Sequence, residues 1–108
     1  RRSALCSAIS QPPKVRPGAE HAWHQFCVHT KHPERLVDHF DSLEIDARRY
    51  YTTPIHRQAV FATHPQHSEE LEITNQLGAT LVAIPVMHEL TEDEIARVVQ
   101  ALKEFRVA

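Results

Sequence analysis

A short stretch in the middle of the chain, residues 45–56, concentrates side chains that bind charged or planar ligands. Its sequence is IDARRYYTTPIH, and its candidate binding residues are Arg48, Arg49, Tyr50, Tyr51 and His56. Arginine forms paired hydrogen bonds to carboxylates and phosphates, and tyrosine stacks on sugars or bases. The stretch falls where a predicted strand meets a loop, a usual place for binding residues. The composition equally suits a half-exposed strand with interfacial aromatics, so both interpretations stay open.

Histidine is frequent, with nine among 108 residues. His21 and His24 lie at the entry to a predicted strand, where a spacing of three directs side chains to opposite faces. His64 and His67 have the same spacing, in a loop that contains proline and no cysteine. A metal site needs ligands that converge and complete a coordination shell. We therefore expect surface histidines, some of them capping helices, and no metal site.

No residue in the sequence has the surroundings expected of a catalytic nucleophile or of a carboxylate that acts as a general acid or base. The chain has no G-x-S-x-G motif, and Cys27 lies inside a predicted strand, where cysteine usually packs as a small hydrophobe. The acidic groups at residues 69–72 and 92–94 fall in first turns of predicted helices, where the helix dipole favours them. Gly18 and Gly78 are the only glycines, which excludes a glycine-rich nucleotide loop. We expect no catalytic residue in this chain.

Charge and hydropathy exclude further classes of partner. The net charge of −2 gives no basic footprint for nucleic acid or for an anionic membrane surface. No apolar run approaches the roughly 20 residues that span a bilayer. The two cysteines have no metal-binding or disulfide-scaffold spacing, and we expect them to be reduced thiols. A cytoplasmic location is the expectation that follows.

Hydrophobic periodicity predicts the elements that must position these residues. Prolines 12, 13 and 17 forbid regular structure there, so residues 1–18 are predicted to be a linker, with the end of an upstream helix possible in residues 1–9. A Thr-x-x-Glu capping box opens the last helix. The predicted strands cover residues 22–30, 45–51 and 81–85, and the predicted helices cover 33–43, 68–80 and 91–105.

This order of short strands and amphipathic helices predicts an α/β (α+β) two-layer sandwich. We expect a small, mostly antiparallel sheet with helices covering one face. Residues 19–108 would form this single domain, a length that can bury one modest core. Gly78 would lie inside the second helix, where glycine costs about 1 kcal/mol relative to alanine, so we expect close backbone packing at that position.

Five segments, taken in chain order, resemble the DegT/DnrJ/EryC1/StrS family of sugar aminotransferases. The resemblance extends from about Lys14 to Phe105, and the ordered set is more specific than any one piece. The similar segments are HAWHQF at 21–26, ERL at 34–36, RRYYTTPIH at 48–56, LVAIP at 81–85 and LTEDEIARVV at 90–99.

The resemblance implies a dimeric enzyme of the type I aminotransferase fold, with pyridoxal phosphate held by a lysine of a large N-terminal domain. The small C-terminal domain, which these residues resemble, closes one side of the active site. Lys14, Lys31 and Lys103 are the only lysines here, and none has the family's Schiff-base setting. We expect the parent enzyme to aminate a nucleotide-linked keto-sugar from an amino-acid donor, and this chain alone to be inactive.

The resemblance also assigns site positions. Tyr50 and His56 match family positions that face the mouth of the active site, and Tyr51 is a weaker match. Arg48 and Arg49 resemble only a subset of members, and one of them is expected to meet an anionic group of the amino donor or of the nucleotide-sugar. The sequence does not predict which sugar is aminated.

Two alternatives from other classes stay open on the sequence. One is a free-standing α/β module that binds or senses a small molecule. The other is a histidine-rich metal-binding protein. The aminotransferase interpretation predicts that the reading frame continues upstream into a domain with a lysine and a cofactor-binding aspartate. The module interpretation predicts a native start near Arg1.

Overall fold

The computed structural model describes residues 13–65 and 70–107, and the possible helix end in residues 1–9 lies outside them. Within the described residues, two strands and three α-helices form the domain. None of these helices is both long and apolar enough to cross a bilayer. In chain order the elements are β1 (Phe26–His29), α1 (Pro33–Ser42), the 3-10 turns Ile55–Arg57 and Ala59–Phe61, α2 (Glu72–Thr80), β2 (Leu81–Ile84) and α3 (Glu92–Glu104).

The sheet is antiparallel, with β1 paired to β2 so that Val28 lies opposite Val82. On the other edge of β2, Arg48 and Ala83 exchange both backbone hydrogen bonds, at 2.9 and 2.8 Å. The predicted strand at 45–51 is therefore wrong in length, because Arg48 is its one residue that pairs with the sheet. Its backbone turns away on either side, since Glu44 and Tyr51 have left-handed φ values of 57° and 58°.

Helices α1 and α3 cover one face of the sheet, and the predicted α/β architecture of a small antiparallel sheet with helices is confirmed. Helix α2 lies beside the other face of the sheet. Every second residue of each strand points toward the helices, and α1 and α3 each turn one apolar face toward the sheet. These side chains meet in one core. Helix α2 contributes no buried residue. The buried cluster consists of Val28, Leu36, Phe40, Val82, Val98, Ala101, Leu102 and Phe105.

Two hydrogen bonds fix the exit of α1. The Glu44 amide donates to the Asp41 carbonyl at 2.9 Å, and the Ile45 amide donates to the Phe40 carbonyl at 3.0 Å. These are the two bonds of a Schellman motif, in which the left-handed residue is usually glycine. Here the left-handed residue is Glu44, while Ile45 and Phe40 both join the core. The motif reverses the chain so that residues 46–48 run along β2.

The capping box at the start of α3 is confirmed. The Thr91 hydroxyl accepts from the Glu94 amide at 3.3 Å, and the Glu94 carboxylate accepts from the Thr91 amide at 2.8 Å. The backbone and hydroxyl hydrogen bonds from Thr91 lower the pKa of Glu94. This exchange satisfies backbone donors that the first helical turn leaves free.

Two predicted boundaries are wrong by four residues. Strand β1 begins at Phe26 rather than at residue 22, because Trp23 has a φ of 48° that no strand accommodates. Helix α2 begins at Glu72 rather than at residue 68. Leu71 precedes it with a non-helical ψ of 75°, and residues 68 and 69 lie outside the described part of the chain.

Candidate functional site

A cleft of about 400 Å³ opens beside the edge of β2 that Arg48 pairs with. We name it the polar cleft and define it by its polar lining residues, His24, Gln25, Asp46, Arg48 and Tyr50. Residues 84–87, which leave β2, form its apolar wall. The cleft therefore offers a cation, an amide and a phenol beside a surface that suits a ligand's carbon skeleton.

Asp46 orients the Arg48 side chain in the polar cleft. The Arg48 Nε atom lies 3.0 Å from each oxygen of the Asp46 carboxylate. The hydrogen bond and the charge of Asp46 raise the pKa of Arg48 above its ordinary value. Neither Nη nitrogen has a hydrogen-bond partner among residues 13–65 and 70–107, and the side chain is 62% exposed. Both nitrogens are available to a carboxylate or phosphate.

A second cleft, of about 370 Å³, lies on the sheet face opposite the buried core, between the sheet and α2. We name it the apolar cleft and define it by Cys27, Tyr50, Tyr51, Ile55, Leu77 and Leu81. Burial raises the pKa of the Cys27 thiol, which keeps it protonated at neutral pH. The two clefts adjoin, because Gln25, Tyr50 and Ala83 line both of them.

Tyr50 lines both clefts, and Tyr51 lines the apolar cleft. Their ring centroids are 6.0 Å apart at an angle of 39°. Tyr51 is 77% exposed, and its backbone is in the left-handed region. A bulky residue rarely adopts that conformation, and such strain concentrates at ligand-binding sites. The arrangement presents an aromatic surface that little else in the described chain covers.

Arg49 has a different environment from its neighbour Arg48. Its guanidinium contacts the Glu34 carboxylate, and its Nη2 atom donates to the Gly78 carbonyl at 2.7 Å. The side chain is only 16% exposed, and its Nε is buried without a partner. The structure thus separates the two arginines that the sequence offered as equivalents. Only Arg48 lines a described cleft.

His56 lies in the first 3-10 turn and lines neither cleft. Its Nε2 atom is buried without a hydrogen-bond partner. Of the five residues predicted from the sequence, the structure brings Arg48, Tyr50 and Tyr51 together at the clefts. Arg49 and His56 lie outside the clefts. The ligand-binding role of all five stays a prediction.

Sequence reasoning missed several residues that line the clefts. Asp46 is two residues before Arg48, and in the strand predicted from the sequence that spacing places both side chains on one face. The alternation alone could therefore have predicted the Asp46–Arg48 pair. Leu77 and Cys27 come from distant segments, and no local pattern indicates that they share a cleft.

The histidines make contacts within and between segments. The His39 Nε2 atom donates to the Ala101 carbonyl at 2.9 Å and so joins α1 to α3. The His21 ring stacks on Trp23 with centroids 4.1 Å apart. Among residues 13–65 and 70–107, no three histidine, cysteine or acidic side chains are placed to hold a metal ion.

The lysines do not provide an anchor for pyridoxal phosphate. Lys14, Lys31 and Lys103 are all exposed, and none lines the polar or the apolar cleft. An aldehyde cofactor needs a lysine amine positioned in a site. The described residues therefore do not fit a covalently held cofactor, and no chemical step follows from them.

Comparison with known proteins places these features in context. The model of the DegT/DnrJ/EryC1/StrS aminotransferase family matches residues 3–103. Protein Rv3402c of Mycobacterium tuberculosis is 31% identical over 83 residues, which cover 75% of this chain and 20% of that protein. The dTDP-3-amino-3,6-dideoxy-alpha-D-galactopyranose transaminase of Aneurinibacillus thermoaerophilus is 27% identical over 93 residues, covering 86% of this chain and 25% of the transaminase.

Among solved structures, DesV of S. venezuelae, crystallised in complex with a ketimine intermediate, is similar over 98% of this chain. The TM-score is 0.87 at 25% sequence identity, and the similar region is 29% of the DesV chain. The chain thus spans about a fifth to a quarter of the length of these curated relatives.

Proposed function

The chain belongs to the DegT/DnrJ/EryC1/StrS aminotransferase family, and we propose that it forms the lid of the active site in a sugar aminotransferase. The substrate of that enzyme would be a nucleotide-linked keto-sugar, and the donor an amino acid. The observation that carries the proposal is the pair of adjoining clefts at Arg48, Tyr50 and Tyr51, because they lie in the segment that the sequence offers for binding.

In this proposal each cleft residue has a physical task. Arg48 binds an anionic group of the nucleotide-sugar or of the amino donor through its two unpaired Nη nitrogens, while Asp46 keeps the guanidinium oriented. Tyr50 and Tyr51 offer ring faces to a sugar or base. His56 faces the mouth of the assembled site, where its unpartnered Nε2 gains a hydrogen-bond partner.

The chemistry of amino transfer would come from pyridoxal phosphate in a large domain, since the lysines here are exposed and away from the clefts. That domain would belong to the same polypeptide, and two such polypeptides would form a homodimer. The lid would exclude water and hold the substrate's charged end. Alone, the lid would have no transaminase activity.

Exposed apolar side chains support the docking of the proposed large domain. Ile55 is 71% exposed, Val60 is 78% exposed and Ile73 is 74% exposed. All three come from the 3-10 turns or from α2, the segments that pack least against the core. Exposed apolar patches commonly mark surfaces that another protein surface covers.

Kinetics of the parent enzyme test the proposal. We expect Arg48→Ala to raise the KM for the anionic substrate about 10- to 100-fold, the range for a lost hydrogen bond to a charged group. Arg35→Ala is the matched control, because Arg35 is an exposed arginine on α1 that lines neither cleft. An unchanged KM in Arg48→Ala for both the nucleotide-sugar and the amino donor would overturn the assignment.

A further inference from the structure

We infer that Arg49 is a positioning residue, which holds the loop of Tyr50 and Tyr51 against the C-terminal end of α2. The three groups involved, Arg49, Glu34 and the Gly78 carbonyl, are called the Arg49 clamp below. This inference rests on the proposed function, because it concerns how the tyrosines of the lid are held. In this view Arg48 binds the ligand, and Arg49 stabilises the structure around it.

The last carbonyls of a helix have no partners within the helix, and α2 finds them elsewhere. The Leu77 carbonyl accepts from the Leu81 amide, and the Thr80 carbonyl accepts from the Thr30 amide at 3.0 Å. The Gly78 carbonyl accepts from Arg49 at 2.7 Å. A cation at this end of a helix is also favoured by the helix dipole. Arg49 therefore supplies a donor to one of the carbonyls that the C-terminal end of α2 leaves without a helical partner.

Gly78 allows the loop to approach this helix end closely. A Cβ atom at Gly78 would lie 3.1 Å from the Thr52 carbonyl oxygen and 3.6 Å from the Pro54 ring. The close backbone packing expected at Gly78 from the sequence is confirmed by these distances. The loop is thus attached to α2 twice, once through Arg49 and once through the contact of Thr52 and Pro54 with Gly78.

Helix α2 depends on such attachments because it buries no residue of its own in the core. The clamp extends to a second helix, since Glu34 lies in the first turn of α1. Arg49 thereby connects two helices and the strand edge at Arg48. The Arg49 side chain is 16% exposed and the Glu34 side chain is 72% exposed, so the ion pair is open to solvent on the Glu34 side. The hydrogen bond to the Gly78 carbonyl is the part-buried half of the clamp.

The clamp determines where the aromatic rings stand. Tyr50 follows Arg49 directly in the chain, and both tyrosines line the apolar cleft, whose other wall includes Leu77 and Gly78 of α2. Releasing Arg49 leaves the loop only its contact with Gly78 through Thr52 and Pro54, which loosens α2 and widens the cleft between them. Arg49 thus acts on the ligand through Tyr50 and Tyr51, without touching it.

Nuclear magnetic resonance of the 108-residue chain tests the clamp itself. In Arg49→Gln we expect amide exchange in α2 to accelerate about tenfold, and the ring resonances of Tyr50 and Tyr51 to shift. Arg49→Lys should restore part of the protection, because an ammonium can bind Glu34 or the Gly78 carbonyl. Arg48→Gln is the control and should leave exchange in α2 unchanged.

If Arg49→Gln does not fold, amide exchange in α2 is measured in Arg49→Lys and Glu34→Gln. Exchange in α2 within twofold of wild type in every folded variant would overturn the clamp. In the parent enzyme, we expect Arg49→Lys to raise the KM for the nucleotide-sugar several-fold with little change in kcat.

The two measurements separate the two ideas. Faster exchange with an unchanged KM would keep the clamp and refute the ligand-binding role proposed for the tyrosines. A raised KM with unchanged exchange would refute the clamp and assign Arg49 to direct contact with the substrate.

Discussion

Replacing Tyr51 with glycine should weaken ligand binding while leaving the fold almost as stable as before. A left-handed backbone costs a non-glycine residue about 1–2 kcal/mol, which Tyr51→Gly removes. Glycine's greater freedom in the unfolded chain costs about 0.5–1 kcal/mol. Full burial of an aromatic side chain contributes about 2 kcal/mol. The Tyr51 side chain is 77% exposed, so the loss of its partial burial costs roughly 0.5 kcal/mol. These terms cancel to within about 1 kcal/mol.

Thermal unfolding followed by circular dichroism measures this balance. We expect the Tm of Tyr51→Gly to stay within about 8 °C of wild type, since 1 kcal/mol shifts a domain of this size by roughly 4–8 °C. In the parent enzyme, the same change should raise the KM for the nucleotide-sugar. A loss of more than about 2 kcal/mol would refute the reasoning, because it would mean that the ring is packed.

Glu44→Gly is the matched control, since Glu44 shares the left-handed backbone and lies in the Schellman motif that ends α1. It should stabilise the chain by about 0.5–1 kcal/mol and leave the KM unchanged. A KM that rises equally in both variants would show that the loss arises from backbone freedom and does not involve the Tyr51 ring.

Other variants test the packing and the titrating groups. Alanine in a helix is more stable than glycine by roughly 1 kcal/mol, but Gly78→Ala should not gain this stability, because the new Cβ meets the Thr52 carbonyl. An increase of the full ~1 kcal/mol in the free energy of unfolding would show that the loop does not pack closely at Gly78. The folded-state pKa of Glu94 is lowered, so its stabilisation is present above its ordinary pKa of 4.5 and is lost as the pH falls through the folded value. The Tm difference between wild type and Glu94→Gln should therefore shrink below about pH 4, and a difference independent of pH would refute this. The raised pKa of Cys27 predicts slower alkylation by iodoacetamide at neutral pH than for a free thiol, and an equal rate would contradict it.

The parts of the fold that were predictable are those with a local signal. The capping box at Thr91 and the proline at the start of α1 mark where their helices begin, because both act through neighbouring residues of the chain. Both are present as expected. The wrong strand boundaries arose where the backbone is left-handed at non-glycine residues, namely Trp23, Glu44 and Tyr51. Residue type alone gives no sign of these conformations, because residues other than glycine rarely adopt them.

The candidate site was partly predictable for the same reason. Arg48, Tyr50 and Tyr51 belong to one continuous segment, so their types and spacing are enough to indicate a site. The sequence could not separate Arg48 from Arg49, because that difference depends on Glu34 and Gly78 from other elements. Long-range partners of this kind are determined by the packing of the whole domain.

Site-specific photocross-linking tests the central claim most directly. The parent enzyme would carry Tyr51→benzoylphenylalanine and be irradiated with its nucleotide-sugar, with the same photoreactive residue at Val99 as the control. Val99 is 42% exposed on α3, whose buried side packs on the opposite sheet face. The proposal predicts that mass spectrometry finds the nucleotide-sugar attached at residue 51 and not at residue 99. The absence of an adduct at 51, or equal labelling at both positions, would contradict it.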